Sequence, residues 1–416
     1  MRIIRTGAFM YDLAALSSWL EFAVRWVHVI TGIAWIGSSF YFIALDLGLH
    51  RDRNLASGAD GEEWQVHGGG FYHVQKYLVA PAQMPDDLVW FKWESYATWL
   101  SGFALLVLVY YLGAEFYLVD PAIADLAVWQ AVAISLASLA FGWVAYDLIC
   151  KSRFGENSTR LMLLLYVILV AMAYFYTSVF SGRAALLHLG AFTATIMSAN
   201  VFFIIMPNQR IVVADLKAGR TPDAKYGKIA KQRSTHNNYL TLPVIFLMLS
   251  NHYPLAFASQ ANWLIAALVF LMGVTIRHYF NCLHARKGSK YWTWLATALL
   301  FVAIIWLSTA PMFRAPEPQQ AQGAAVQFAQ AEGFAQVQDI VRGRCSMCHA
   351  AAPAWEGLHW PPKGVRLETE HQIAIAARQI YLQSGLTHAM PPANLSYMKP
   401  EERAAIVAWY RAATKG

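Results

Sequence analysis

Long apolar runs constrain this chain more than any other feature. A helix rises about 1.5 Å per residue and a bilayer core is about 30 Å thick, so roughly 20 apolar residues cross it. Runs of that length predict eight spans, over about 18–45, 95–118, 128–149, 160–180, 184–206, 239–257, 262–283 and 291–312. The sixth is interrupted by Pro243 and Asn251. Composition points the same way: only 14% of the 416 residues are charged, against about a quarter in soluble domains. A wholly soluble enzyme and a disordered chain are both excluded. The first run is no cleavable signal, since Glu21, Arg25 and His28 stand where a signal is plainly apolar.

The formal charge of +7 belongs to topology, not to nucleic acid. The loops after spans one, three, five and seven carry seventeen Lys and Arg, among them Arg51, Arg53, Lys151, Arg153, Arg210, Lys217, Arg286 and Lys287. The other side has four before the C-terminal region: Arg2, Arg5, Arg183 and Arg314. The positive-inside bias therefore predicts basic loops in the cytoplasm and both termini outside.

After Met312 the composition shifts to Pro, Gln, Ala and Gly, which reads as a linker over 314–333. The 334–416 segment holds Cys345-Ser-Met-Cys-His349, the c-type haem attachment motif. Two thiols about one helical turn apart can add to the two vinyl groups of one porphyrin, and the adjacent His lies beneath the iron. Zinc is the competing reading, with His359, His371 and His388 as further ligands, but no other Cys is left in this segment. Met390, followed by Pro391 and Pro392, is the expected sixth ligand, and His388 its rival. Phe334–Arg344 and Pro400–Ala412 are the expected opening and closing helices. Bacterial c-type haem is attached outside the cytoplasmic membrane, which agrees with the charge bias.

Ionisable residues within spans are costly and mark functional positions. His28, His188, His252 and His278 lie at such positions and are candidate ligands of a non-covalent haem b; interhelical hydrogen bonding is the plainer role. The first inside loop, 46–93, contains Trp64-Gln-Val-His-Gly-Gly-Gly-Phe-Tyr-His73-Val-Gln-Lys-Tyr77. Its glycines permit a sharp turn or close approach to a ligand, and its aromatics, amides and cations suit a flat anionic heterocycle. A glycine-turn hairpin in an interfacial aromatic belt is the alternative. The catalytic candidates are His67, His73, Gln75, Glu94 and His236. The absence of HH and HxH patterns excludes a haem–copper oxidase.

WVHVITGIAWIGSSFYF, WQVHGGGFYHVQKY, FKWESYATWLSGF, HNNYLTLPVIFLMLSNHYP and RHYFNCLHARKG, followed by a linker and CSMCH, resemble the bacterial membrane-bound cytochrome c urate oxidase (urate hydroxylase) family. The resemblance covers essentially the whole chain. It implies oxidation of urate to 5-hydroxyisourate in purine catabolism, with electrons passing to the fused cytochrome c. Cys345 and Cys348 would hold haem c covalently, and His349 and Met390 would bind its iron. The rival function is a non-catalytic electron-transfer subunit of a respiratory complex. The expected fold class is all-α: an eight-helix transmembrane bundle over 1–313, a linker over 314–333 and a monohaem cytochrome c domain over 334–416. The expected location is the bacterial inner membrane, with the cytochrome domain periplasmic. Expected partners are urate, the lipid bilayer and a downstream acceptor such as a soluble cytochrome c or terminal oxidase, with no nucleic acid.

Overall fold

The computed structural model describes residues 13–77, 85–121, 123–310, 324–355, 358 and 361–414. Helix α1 is Leu13–Gly48. A two-stranded hairpin follows, β1 Ala59–His67 and β2 Gly70–Tyr77. Helix α2 is Trp93–Leu105, continued by a π-helical turn Leu106–Tyr111. Then come α3 Val128–Lys151, α4 Ser158–Thr177 and α5 Gly182–Lys217, the last with a π-turn at Asn200–Ile205. Helices α6 Ala224–Ser250, α7 Asn262–His284 and α8 Trp292–Thr309 complete the bundle.

Six of these helices, α1, α3, α4, α5, α7 and α8, are long and apolar enough to cross a membrane. The other two expected spans differ for compositional reasons. Helix α2 carries Glu94, Ser95, Thr98 and Ser101, and the chain turns at Gly113 instead of running on to 118. Helix α6 begins well before the expected 239, in a stretch rich in Lys and Arg, and holds Asn237, Asn238 and Pro243 inside.

The all-α expectation needs one correction, because the first inside loop forms the β1–β2 hairpin. Trp64 pairs with His73 and Glu62 with Gln75 in an antiparallel register. Gly68 and Gly69 at φ 58° and 80° make the turn, a two-residue connection that needs left-handed backbone at both positions. Gly68 and Gly69 therefore serve the turn, and Gly70 opens β2.

Helix packing shows why the bundle suits lipid. In α4, Leu161, Leu165, Leu169, Ala173 and Tyr176 are buried at helical spacing. Leu163, Val167 and Tyr174 on the same helix are exposed. An apolar helix with only one face covered needs an apolar solvent for the other. Close approach uses small residues: a Cβ on Gly142 would lie 2.0 Å from the Phe192 ring, and one on Gly273 would lie 2.5 Å from the Pro243 ring.

A separate apolar core builds the C-terminal segment around Val337, Val341, Ile373, Ile406 and Trp409. Helices Phe334–Arg344 and Pro400–Ala413 pack together there. The linker boundary moves. Residues 324–330 form a helix whose Ala325 and Phe328 join this core, and Phe328 O accepts a 2.9 Å bond from Trp409 Nε1. The first part of the expected linker, 314–323, lies outside the described residues. Arg378 donates to Ser17 and Ser18 at the start of α1, both at 2.9 Å, which seats this segment at the end of the bundle away from the hairpin.

Candidate functional site

At the C-terminal segment, the last turn of Phe334–Arg344 delivers Cys345, and the short helix Ser346–His349 places Cys348 and His349 on the following turn. His349 Nδ1 is 2.8 Å from Val365 O. That bond fixes the tautomer and leaves Nε2 free, the arrangement of a metal-ligating imidazole. Burial holds His349 below the ordinary imidazole range, so the ring stays in its neutral, ligating form. Burial also pushes the Cys345 thiol up to about 12.

Met390 is partly covered, and its backbone is tied down at both ends. Its N–H donates to Gln383 O at 2.8 Å and its carbonyl accepts from Arg403 Nη1 at 2.8 Å. His388 is exposed, with φ at 57°. His359 lies outside the described residues. Two thiols, an imidazole with free Nε2 and a tethered thioether fit the donor set of a covalent haem.

Of the four candidate histidines of the bundle, two share one environment and the other two differ from it and from each other. His28 Nδ1 is 3.0 Å from Thr98 O and 3.2 Å from Ser101 Oγ, and its ring lies against Gly102. His188 is fully buried between Tyr110, Tyr176 and Phe180; its Nδ1 bonds Ala184 O at 2.8 Å and its Nε2 has no partner. Both repeat the His349 pattern, a carbonyl on Nδ1 and a free Nε2. His278 is engaged on both nitrogens, by Tyr239 at 3.4 Å and Cys282 at 3.5 Å. His252 is exposed between α6 and α7. Among the described residues, no hydrogen bond or ring contact joins any two of the four.

At the hairpin end, a cavity of about 410 Å³ opens between the hairpin, the last turns of α1 and the end of α7. Tyr41, His50, Trp64, Gln65, His284 and Arg286 line it, with Arg53 and Glu63. Tyr41 donates to Gln65 Oε1 at 2.6 Å, and Gln65 Nε2 donates to Glu63 at 3.2 Å. The other Glu63 oxygen and His284 Nδ1 are buried without partners. Arg286 donates to His50 at 2.7 Å and to Gly48 O at 2.7 Å, and holds φ 53°, a conformation rare for arginine. Lys76 pairs with Asp46, which also takes Lys231 at 3.0 Å, pinning the hairpin to α1 and α6.

The expected catalytic residues do not converge on this cavity. His67 is exposed beside the hairpin turn. His73 stacks on Trp64 at 4.2 Å and bonds Glu62 at 2.8 Å, and this bond first of all holds the Glu62 carboxyl below its usual range. Gln75 accepts from Tyr77, and Glu94 sits in the first turn of α2.

His236 belongs to a buried polar network instead. Its Nδ1 is 2.8 Å from Tyr146 Oη, which accepts from Asn200 at 3.0 Å; Asn200 also bonds Asn237 at 3.0 Å. Arg233 pairs with Asp147 at 2.8 Å beside it. A second cluster joins α6 to α7. Asn238 Oδ1 accepts from Asn281 at 2.9 Å and Arg277 Nε at 3.4 Å, and Arg277 also reaches Asn281 at 3.2 Å. Its guanidinium lies over the Phe40 ring at 4.0 Å. Sequence reasoning passed over Arg277, Asn281 and Asn200. For the first two a signal existed, since Arg277, Asn281 and His284 repeat at i, i+4 and i+7 on one helix face.

The bundle and its polar interior coincide with a family boundary: residues 14–308 match the urate oxidase N-terminal family. The chain belongs to the urate oxidase N-terminal family. As a member it is a urate-related oxidoreductase, and the matched stretch runs through the whole helical bundle and stops before the CSMCH segment. No curated protein and no solved structure matches the chain.

Proposed function

We propose that this family member is a membrane-bound, cytochrome c-linked urate oxidase. The family match over 14–308, in a chain that continues into CSMCH, carries the reading. Urate becomes 5-hydroxyisourate when water adds its hydroxyl at C5; two electrons and two protons leave. Cys345 and Cys348 would hold a covalent haem, with His349 and Met390 as the residues that would bind its iron. A haem so held would accept one electron at a time, so each urate needs two successive transfers through it to a downstream electron acceptor. The 1–313 bundle spans the inner membrane eight times, with the basic hairpin end in the cytoplasm and the cytochrome end outside. A further haem, held through the free Nε2 of His28 or His188, would bridge the two ends.

The deciding measurement is anaerobic. Oxidised full-length protein is mixed with urate, and the c-haem α-band is followed. The expected outcome is reduction by urate with 5-hydroxyisourate formed. Reduction by quinol but not by urate would overturn the reading in favour of a non-catalytic electron-transfer subunit.

A further inference from the structure

Arg277 is 95% removed from solvent, within a helix long and apolar enough to span a membrane. Within the bundle, the other strongly buried cation is Arg233, which is 1% exposed and paired with Asp147. Arg277 has no such partner: among the described residues no carboxylate makes an ion pair with it. Its partners are two amide oxygens and the Phe40 ring, and its Nη1 donates no hydrogen bond among them. A buried cation without a counter-ion is costly. Asn238 adds a second deficit, since it is fully buried and its Nδ2 has no acceptor. The cluster thus holds a charged donor without a counter-ion and, on Asn238, a buried amide N–H without an acceptor.

The cluster lies about two helical turns behind the wall of the hairpin-end cavity. Arg277, Asn281 and His284 share one face of α7, and His284 lines the 410 Å³ cavity at the hairpin end. Phe40 under the guanidinium is next to Tyr41, which lines the same cavity. The rim carries His50, His284, Arg53 and Arg286 beside one carboxylate, Glu63, so its cationic and imidazole groups outnumber its acidic one.

We propose that Arg277, with Asn238 and Asn281, is the anion-recognition group of the substrate site, and that a planar oxopurine anion enters through the hairpin-end cavity to supply the missing counter-charge. The assignment rests on the urate reading above. The Arg277 guanidinium takes the delocalised negative edge of the ring, and Asn238 Nδ2 donates to a ring carbonyl. A guanidinium is a planar donor fork matched to such an edge. Arg277 and the two asparagines bind and orient; the oxidation itself is not assigned to them.

The test compares wild type, Arg277→Gln and Asn281→Asp as full-length protein, by equilibrium dialysis with radiolabelled urate and with hypoxanthine, an uncharged oxopurine. Losing charge-assisted hydrogen bonds costs more than the 1.4 kcal/mol that corresponds to tenfold in affinity. Arg277→Gln is therefore expected to weaken urate at least about tenfold and to abolish the preference of urate over hypoxanthine. Asn281→Asp places a carboxylate within reach of the guanidinium, and is expected to raise the melting temperature without ligand while removing urate binding. A purely structural role for Arg277 predicts lower melting and unchanged preference. Wild-type-like urate affinity in either variant, with wild type still reduced by urate, overturns the assignment to Arg277 alone. Neither binding nor reduction in wild type overturns both this assignment and the urate reading.

Discussion

Met390 shows how single atoms carry the haem assignment. Its backbone is fixed by Gln383 on one side and Arg403 on the other, so the side chain is presented from a short tethered loop. His388, two residues earlier, is exposed. Met390→Ala is therefore expected to abolish the Met–iron absorption band while the covalent haem is retained; a band that persists would move the sixth ligand elsewhere. Residues of this kind were legible from sequence because CSMCH is a covalent requirement with fixed spacing. Arg277 was not legible in the same way. Its spacing to Asn281 on α7 places the two on one helix face, but Asn238 comes from α6 and nothing local declares that contact. His236 was singled out, but its partner Tyr146 lies ninety residues away in sequence, and nothing local announces that contact.

At the scale of elements, amphipathic logic fails for most of the bundle, because lipid-facing and buried positions are both apolar. The sequence therefore locates helices well and their contact faces poorly. Gly142 illustrates the gap. It reads as an ordinary weak point in a helix, yet its missing Cβ lets Phe192 of α5 lie against α3. Gly142→Ala should destabilise the protein by about 1–3 kcal/mol through overpacking, measured as a lower detergent melting temperature; an unchanged value would mean the two helices can part without cost. The hairpin was readable from its glycine run, but what the strands enclose was not. Glu63 and Gln65 became site residues only when β1 was laid beside Tyr41 of α1.

For the whole molecule, the separation of the two ends sets the main physical demand. Ser18 of α1 bonds the cytochrome-like segment through Arg378, and Phe40 of the same helix underlies Arg277. Twenty-two residues of helix between them span about 33 Å. Tunnelling over that gap in one step is slow, so an intermediate redox centre is expected. A pyridine haemochrome assay on full-length protein should find haem b beside haem c, with haem b lost in His28→Ala or His188→Ala. An active preparation with haem c alone would dispense with that relay. Orientation is checked separately: a C-terminal reporter that works only in the periplasm is expected, and activity in the cytoplasm would invert the topology.

Helix α1 is longer than its task as a span requires. Its 36 residues measure about 54 Å, well beyond a hydrocarbon core of about 30 Å. Such a helix either tilts or overhangs the hydrocarbon, and an overhang at its C-terminal end would carry Gly48 and the hairpin clear of the acyl chains. The cavity beside it would then open at the level of the lipid phosphates, which would compete with any anionic ligand for its arginines and histidines.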